Sequence, residues 1–403
     1  MTKHLSSFVL LLFLYITAHS QEMKIHSNFP GGNILIDSIK GDSIWLKPDS
    51  KDNEYPWFYW NFCVENAASK TLHFILNQKE VIPLFGPSCS HDNGLTWNWL
   101  YEKDTTYRNQ FSYTFSKKEK SVRFSFAKPY VEQNFNHFIK NFSPKNYFKI
   151  DTLCTTRKGR KIEKLYFKNP ESSPQFTVLI IARQHACEMM ESYVLEGIVS
   201  ELYKSFAKKS NPFSDFEFII IPLMDKDGVE LGEQGKGRLP KDHNRDWGGT
   251  SIHESTNTIR NNLNSWSLRK KLIVVDLHCP GLRGFSSKQI TIMGNEDSLI
   301  SDKEKKFAKI LAKNCQGELK FEESGYIKFT KNKNNITYEE TEKLGKMKFS
   351  QFMRQQNNSI LQIVLEMPYS HLKQIPLTDK NLKGFGADFL NSILIYSKEF
   401  EKK

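Results

Sequence analysis

Thr177–Glu188 reads TVLIIARQHACE. Its first six residues show no alternation of apolar and polar. That pattern suits a strand buried on both faces of a sheet. A polar group, His185-Ala-Cys-Glu188, follows at once. The same texture recurs downstream in Phe216–Leu223 (FEFIIIPL), Leu272–Leu277 (LIVVDL), Ile290–Met293 and Ile360–Glu366 (ILQIVLE). Helical stretches are predicted between these runs, at Glu188–Phe206, Asp302–Asn314 and Ala387–Glu401. The first of them carries Tyr193, Leu195, Ile198, Val199 and Leu202 at helical spacing. Buried strands separated by helices predict an α/β/α domain with a mixed, mostly buried sheet.

Upstream, from about residue 23 to 130, the period changes to two. Phe58, Trp60, Phe62 and Val64 are expected to share one face. Phe111, Tyr113 and Phe115 alternate, as do Val122, Phe124 and Phe126. Turn signals at Pro30-Gly31-Gly32, Asn93-Gly94 and Lys117–Lys120 separate the runs. This predicts an antiparallel β-sandwich. The expected division is 21–135 for the sandwich and 136–403 for the α/β domain, with no internal repeat. Lys328–Lys343 is expected to be a surface loop, and its Asn335-Ile336-Thr337 sequon matters only in a glycosylating host.

Met1–Ser20 has the form of an export signal. Lys3 and His4 precede a short apolar run, Phe8–Ile16, and Ala18-His19-Ser20 places small residues where a signal peptidase reads. Cleavage before Gln21 is expected, giving a periplasmic or secreted protein. No later run is long enough to span a bilayer. Six cysteines in an exported chain allow disulfides but do not choose a pairing. Cys63 and Cys89 could pair within the sandwich. Cys187 and Cys279 could brace one another, compete for a metal, or simply pack.

The 403 residues hold 57 Lys+Arg against 45 Asp+Glu, a net +12. Removal of the signal takes one lysine and leaves +11. An aromatic content of 13% excludes a disordered chain. The charge invites a nucleic-acid reading, but the chain has no zinc-finger spacing, no aromatic RNP-like run and no Gly-Lys phosphate loop.

Chemistry is expected where the buried strands end. His185 and Glu188, three apart on a tight turn or first helical turn, can face one point. A second histidine, His278, ends LIVVDLH. Two imidazoles and a carboxylate are a known ligand set for a catalytic zinc with one open position. Asp242-His243-Asn244-Arg245-Asp246-Trp247 offers an amide and a guanidinium to one carboxylate, and an aspartate able to orient a ligand histidine. Glu366, at the end of an apolar strand, needs a job or a partner.

The pieces ARQHACEMMES, PLMDKDGVELG, DHNRDW, VVDLHC and VLEMPY resemble the zinc metallocarboxypeptidase family of carboxypeptidase A. WFYWNFCVEN, SHDNGLTWNWL and VRFSFAKPYVEQNFNHFI resemble the β-sandwich of its cytosolic-carboxypeptidase branch. The resemblance covers about residues 24 to 400. It implies one Zn²⁺ held by His185, Glu188 and His278, with Glu366 as general base. It implies that Asn244 and Arg245 grip the substrate's terminal carboxylate. Arg238 would polarise the scissile carbonyl, and Asp242 would stand behind the first zinc histidine. The substrate would be a peptide with a free C-terminal carboxylate. Tyr338 is a weak match to the tyrosine that caps substrate in digestive members. Lys346, Lys348 and Arg354, in GKMKFSQFMRQQ, fall where relatives line the pocket for the C-terminal side chain. Arg354 resembles a basic residue of the branch that removes acidic residues, so a preference for Glu or Asp is expected.

The same site also suits a zinc amidase acting on cell-wall stem peptides or N-acyl amino acids. A binding module with a vestigial site is a third possibility, although inactive relatives lose a ligand or the glutamate and all four are present here. The sequence is silent on oligomeric state.

Overall fold

The computed structural model describes residues 22–53, 55–100, 109–328 and 344–402. Met1–Ser20, read above as an export signal, and the tract 329–343, with Tyr338 and the sequon, lie outside the described residues.

Two sheets form the N-terminal part. One runs in the order β1 (Lys24–His26), β4 (Asn61–Glu65), β9 (Ser121–Ser125), β6 (Ser88–Ser90), β7 (Asn98–Trp99). The other runs β2 (Leu35–Lys40), β3 (Ser43–Lys47), β5 (Thr71–Leu76), β8 (Gln110–Thr114). Pairing is antiparallel except for β3 with β5, which are parallel because the chain visits β4 in the opposite sheet between them. Phe62 and Phe124 of the first sheet interleave with Phe74 of the second. Ring centroids are 5.3 Å apart for Phe62–Phe74 and 5.4 Å for Phe74–Phe124. Aromatic rings carry much apolar area each, so this layer supplies the sandwich core.

The run Phe58–Val64 departs from the expected one-sided burial: every residue in it is buried. The face assigned to solvent packs against the α/β part. Tyr59 N donates to Gln234 Oε1 at 2.9 Å, and its hydroxyl donates to the Gly31 carbonyl at 2.5 Å.

The α/β part is built on eight strands ordered β10 (Phe148–Thr155), β11 (Lys161–Lys168), β13 (Phe216–Ile221), β12 (Phe176–Ala182), β14 (Lys271–His278), β17 (Ser359–Glu366), β15 (Thr291–Met293), β16 (Tyr326–Ile327). β13, β12, β14 and β17 are mutually parallel at the centre, and antiparallel pairs flank them. Strand residues alternate between faces. Val178 and Ile180 therefore join one apolar cluster, with helices Met190–Phe206, Ser298–Asn314 and Asp379–Glu401. Leu179 and Ile181 join the other, with Glu254–Trp266 and Phe349–Met353. Burial on both faces is why these strands carry no polar alternation.

The sandwich is docked on the α/β part. One apolar cluster runs through both. Polar ties accompany it: Trp99 Nε1 to the Leu377 carbonyl at 2.8 Å, Tyr130 hydroxyl to Glu196 at 2.8 Å, and Asn33 Nδ2 to the Gly232 carbonyl at 2.6 Å. No helix among the described residues is long and apolar enough to cross a membrane.

All six cysteines are free. Cys63 and Cys89 cannot pair because β9 lies between their strands. Two inter-strand spacings put them about 10 Å apart, beyond the reach of a disulfide.

Candidate active site

β12, β14 and β17 end at one sheet edge. Ala182 stands opposite Leu277, and His278 opposite Glu366. The polar groups that follow these strands are thereby brought together.

The chain leaving β12 turns sharply. Arg183 has a positive φ of 61°. Its buried guanidinium donates to the Tyr130 carbonyl at 2.8 Å, the Ser192 hydroxyl at 3.2 Å and the Ala186 carbonyl at 2.5 Å. This clamp holds His185–Glu188 as a turn, and the helix starts only at Met190. His185 Nδ1 lies 3.0 Å from Glu188 Oε1, and His278 Nδ1 lies 2.7 Å from Glu188 Oε2. The imidazole centroids are 5.0 Å apart. A ligand atom from each of the three residues lies within 4.8 Å of the others, and all three residues are buried. Neither ring nitrogen of His185 makes a hydrogen bond, an unusual state for a buried polar group. Two imidazole nitrogens and a carboxylate, converging on one point, fit a tetrahedral zinc ion with a fourth position left for water.

The far side of each imidazole faces a carboxylate. His278 Nε2 is 2.9 Å from Asp276 Oδ2, and His185 Nε2 is 3.7 Å from Asp242 Oδ1. Such partners fix the ring and raise its basicity. Asp242 was legible in the sequence; no role was read for Asp276. Its signal was present, since residues two apart on a strand share a face. Gln184 Nε2 donates to both Asp276 oxygens at 2.9 Å, and Trp247 Nε1 donates to Gln184 Oε1 at 2.8 Å. Burial opposes protonation of His278, but Asp276 and Glu188 outweigh it and hold its pKa well above the usual imidazole value. Burial likewise opposes the charge on Glu188. His185, Lys236 and His278 outweigh it, and the carboxyl titrates well below its usual range.

Glu366 Oε2 is buried without a hydrogen bond. Burial pushes its carboxyl up, while Lys236 and His278 pull it back. Asn244 and Arg245 lie on the 3₁₀ turn His243–Arg245. Asn244 Oδ1 accepts from Phe349 N at 3.0 Å, its Nδ2 is 3.4 Å from His278 Nε2, and its carbonyl accepts from Arg245 Nη1 at 3.0 Å. His185, His278, Glu366, Asn244 and Arg245 line one cavity of about 320 Å³, together with Lys236, Lys348, Arg354, Glu296 and Glu304. Arg354 Nη1 is 3.3 Å from Glu296. Lys346 is exposed and does not line the cavity.

Arg238 is not brought to this group. Its guanidinium is 2.8 Å from Asp225, 2.7 Å from Glu233 and 3.5 Å from Asp52. It lines a different cavity, with Asp225, Glu233 and His253. Three carboxylates hold it there, outside the cavity that His185 and His278 line. Lys236, to which the sequence assigned no role, occupies the site instead, with Nζ 2.7 Å from Glu188 Oε1. Cys187 and Cys279 are buried thiols. Cys279 Sγ donates to Glu191 Oε2 at 3.0 Å, and burial pushes Glu191 up to about 8.

Residues 136–281 match the family model described as zinc carboxypeptidase. Human cytosolic carboxypeptidase 6 is 25% identical over 227 residues, covering 51% of this chain and 45% of that protein. The chain thus spans less than half the length of the human and mouse relatives it matches. A metallo-carboxypeptidase from Burkholderia cenocepacia has the same fold, with a TM-score of 0.76 over 94% of this chain and 100% of that one at 18% identity. So does a Pseudomonas aeruginosa metallo-carboxypeptidase solved with (2-guanidinoethylmercapto)succinic acid. Its TM-score is 0.74 over 93% and 99% of the two chains, at 19% identity.

Proposed function

We propose, from the premise that this chain carries a zinc carboxypeptidase domain, that it removes the C-terminal residue of exported or environmental peptides and favours an acidic one. The observation that carries this is a single cavity lined by His185, His278, Glu366 and Arg245, with Glu188 converging on the two histidines. When bound there, zinc supplies Lewis acidity to a carbonyl and to a water. His185, Glu188 and His278 would hold the ion, and Asp276 and Asp242 would keep the imidazoles turned toward it. Glu366, raised by burial, takes a proton from the attacking water and returns it to the leaving amine. Asn244 and Arg245 hold the terminal carboxylate and so place the last peptide bond, and no other, at Glu366.

Preference for an acidic residue is supported by Lys348 and Arg354 on the cavity wall. Glu296 already pairs with Arg354, so an acidic side chain must compete with it. Export before Gln21 is supported by the pattern of Met1–Ser20.

Release of C-terminal residues from peptides ending in Glu, Lys and Phe, alongside stem peptides and N-acyl amino acids, tests the proposal. Fastest release of Glu is expected, with loss on chelation and recovery with zinc. Glu366→Gln should lower kcat by about 10²–10⁴-fold with zinc still bound. Faster release of Lys or Phe refutes the acidic preference, and cleavage of only the amide substrates refutes the peptidase role.

A further inference from the structure

We infer that Lys236, and not Arg238, is the cation that meets the scissile carbonyl oxygen as it takes up negative charge. The inference rests on the carboxypeptidase role proposed above. A water activated by Glu366 attacks a carbonyl held between that glutamate and the ligand group, so a stabilising donor must sit close to both. Four cations line the cavity. Arg245 stands beside Asn244 at the carboxylate end, and Lys348 and Arg354 belong to the segment assigned to the side-chain pocket. Lys236 alone of the four is placed by the structure against a metal-ligand residue, 2.7 Å from Glu188. Its charge also acts on Glu366. The side chain is 31% exposed, against 12% for Arg238, so a substrate can reach it.

The backbone explains why position 236 faces inward. Gly235 has a φ of +76°, and a Cβ there would lie 2.2 Å from Ala186 N, so the chain presses against the ligand turn. On the other side, Gln234 N and Gly235 N donate to the two oxygens of Asp52 at 3.0 and 2.8 Å. The Lys236 carbonyl accepts from Asn53 Nδ2 at 2.7 Å, and Gly237 N donates to Asp242 at 3.0 Å. The backbone on both sides of Lys236 is thereby tied, and the ammonium reaches Glu188 at the edge of the cavity. No bond of Lys236 forms or breaks in the reaction. It donates a hydrogen bond to the carbonyl oxygen, and a lysine supplies this as a mobile point charge, without the planar fork of arginine.

The test compares the wild-type zinc enzyme with Lys236→Met, Lys236→Arg and Arg238→Gln. Two readouts are taken: turnover of a Glu-terminated peptide, and calorimetric affinity for a phosphonate analogue of it, a tetrahedral anion. Lys236→Met should keep full zinc content and a KM within threefold, while kcat and phosphonate affinity each fall about 100-fold. Lys236→Arg should recover part of both. The inference is overturned if zinc-loaded Lys236→Met keeps its phosphonate affinity, or if folded, zinc-loaded Arg238→Gln is the variant that loses it. If wild type binds zinc yet neither cleaves peptides nor binds the phosphonate, the carboxypeptidase role fails, and this inference with it. A wild type active on both counts with an unimpaired Lys236→Met sinks the inference alone.

Discussion

A buried imidazole next to a metal ligand set is only as good as the group behind it. Asp276 stands 2.9 Å from His278 Nε2 and is itself held by Gln184, which is held by Trp247. This chain of hydrogen bonds fixes which nitrogen of His278 turns toward Glu188. Asp276→Asn should therefore weaken zinc binding by about 10–100-fold, measured by competition with a chelator, with the far-UV dichroism unchanged. Affinity within twofold of wild type would show that Asp276 is a packing residue. At this scale the sequence was informative: His185, Glu188, His278 and Glu366 were legible because each sits at or just past the end of a strand readable from its own apolar run, and Asn244 and Arg245 stood out in the polar tract Asp242–Trp247. Asp276 was spelled out in the same run. Its role needed the sight of a carboxylate at the back of the ring.

At the scale of the element, apolar runs located the central strands to within two residues, whereas the last helix begins at Asp379, eight residues before the expected Ala387, and helix Glu254–Trp266 was not foreseen. Another miss came where an element is buried on a face that only a distant neighbour covers. Phe58–Val64 alternates in sequence yet is buried throughout, because the α/β part covers the face expected to be wet. Helix Ser298–Asn314 offers the complementary case, a carboxyl on an inward face. Glu304 accepts from Asn295 N at 2.8 Å and from the Tyr326 hydroxyl at 3.3 Å, and burial pushes it up to about 7. A carboxyl whose folded pKa lies above its unfolded value binds more protons in the folded state. Stability is then lost as pH rises from about 4.5 toward 7. Glu304→Gln should leave the melting temperature at pH 4 nearly unchanged and raise it at pH 8 by about 3 °C. A melting temperature raised equally at both pH values would exclude titration of Glu304 as the cause.

Across the whole molecule, the sandwich is part of the site's frame. Asp52 belongs to the N-terminal part, yet both its oxygens accept backbone N–H groups of the segment carrying Lys236, and the Arg238 guanidinium lies 3.5 Å away. Asp52→Ala strands two donors and loosens that segment. It should cost about 2–4 kcal/mol in denaturant unfolding and lower kcat more than it raises KM, with Asp52→Asn restoring part of both. A loss of stability with kcat unchanged would confine Asp52 to a purely structural tie.

By itself the sequence determined the α/β and β-sandwich architecture, the ends of the central strands and the residues of the candidate metal group, because those depend on burial patterns and side-chain offsets within short contiguous stretches. Two matters were decided only by tertiary structure. The order β4-β9-β6 separates Cys63 from Cys89, which proximity in sequence could not reveal. Which of Lys236 and Arg238 lines the cavity beside His185 and His278 follows from Asp52 and Asp225, which hold Arg238 outside it and tie the backbone so that Lys236 points in. Those carboxylates lie on different parts of the chain, and their combined field on Lys236-Gly237-Arg238 exists only once the sandwich has docked.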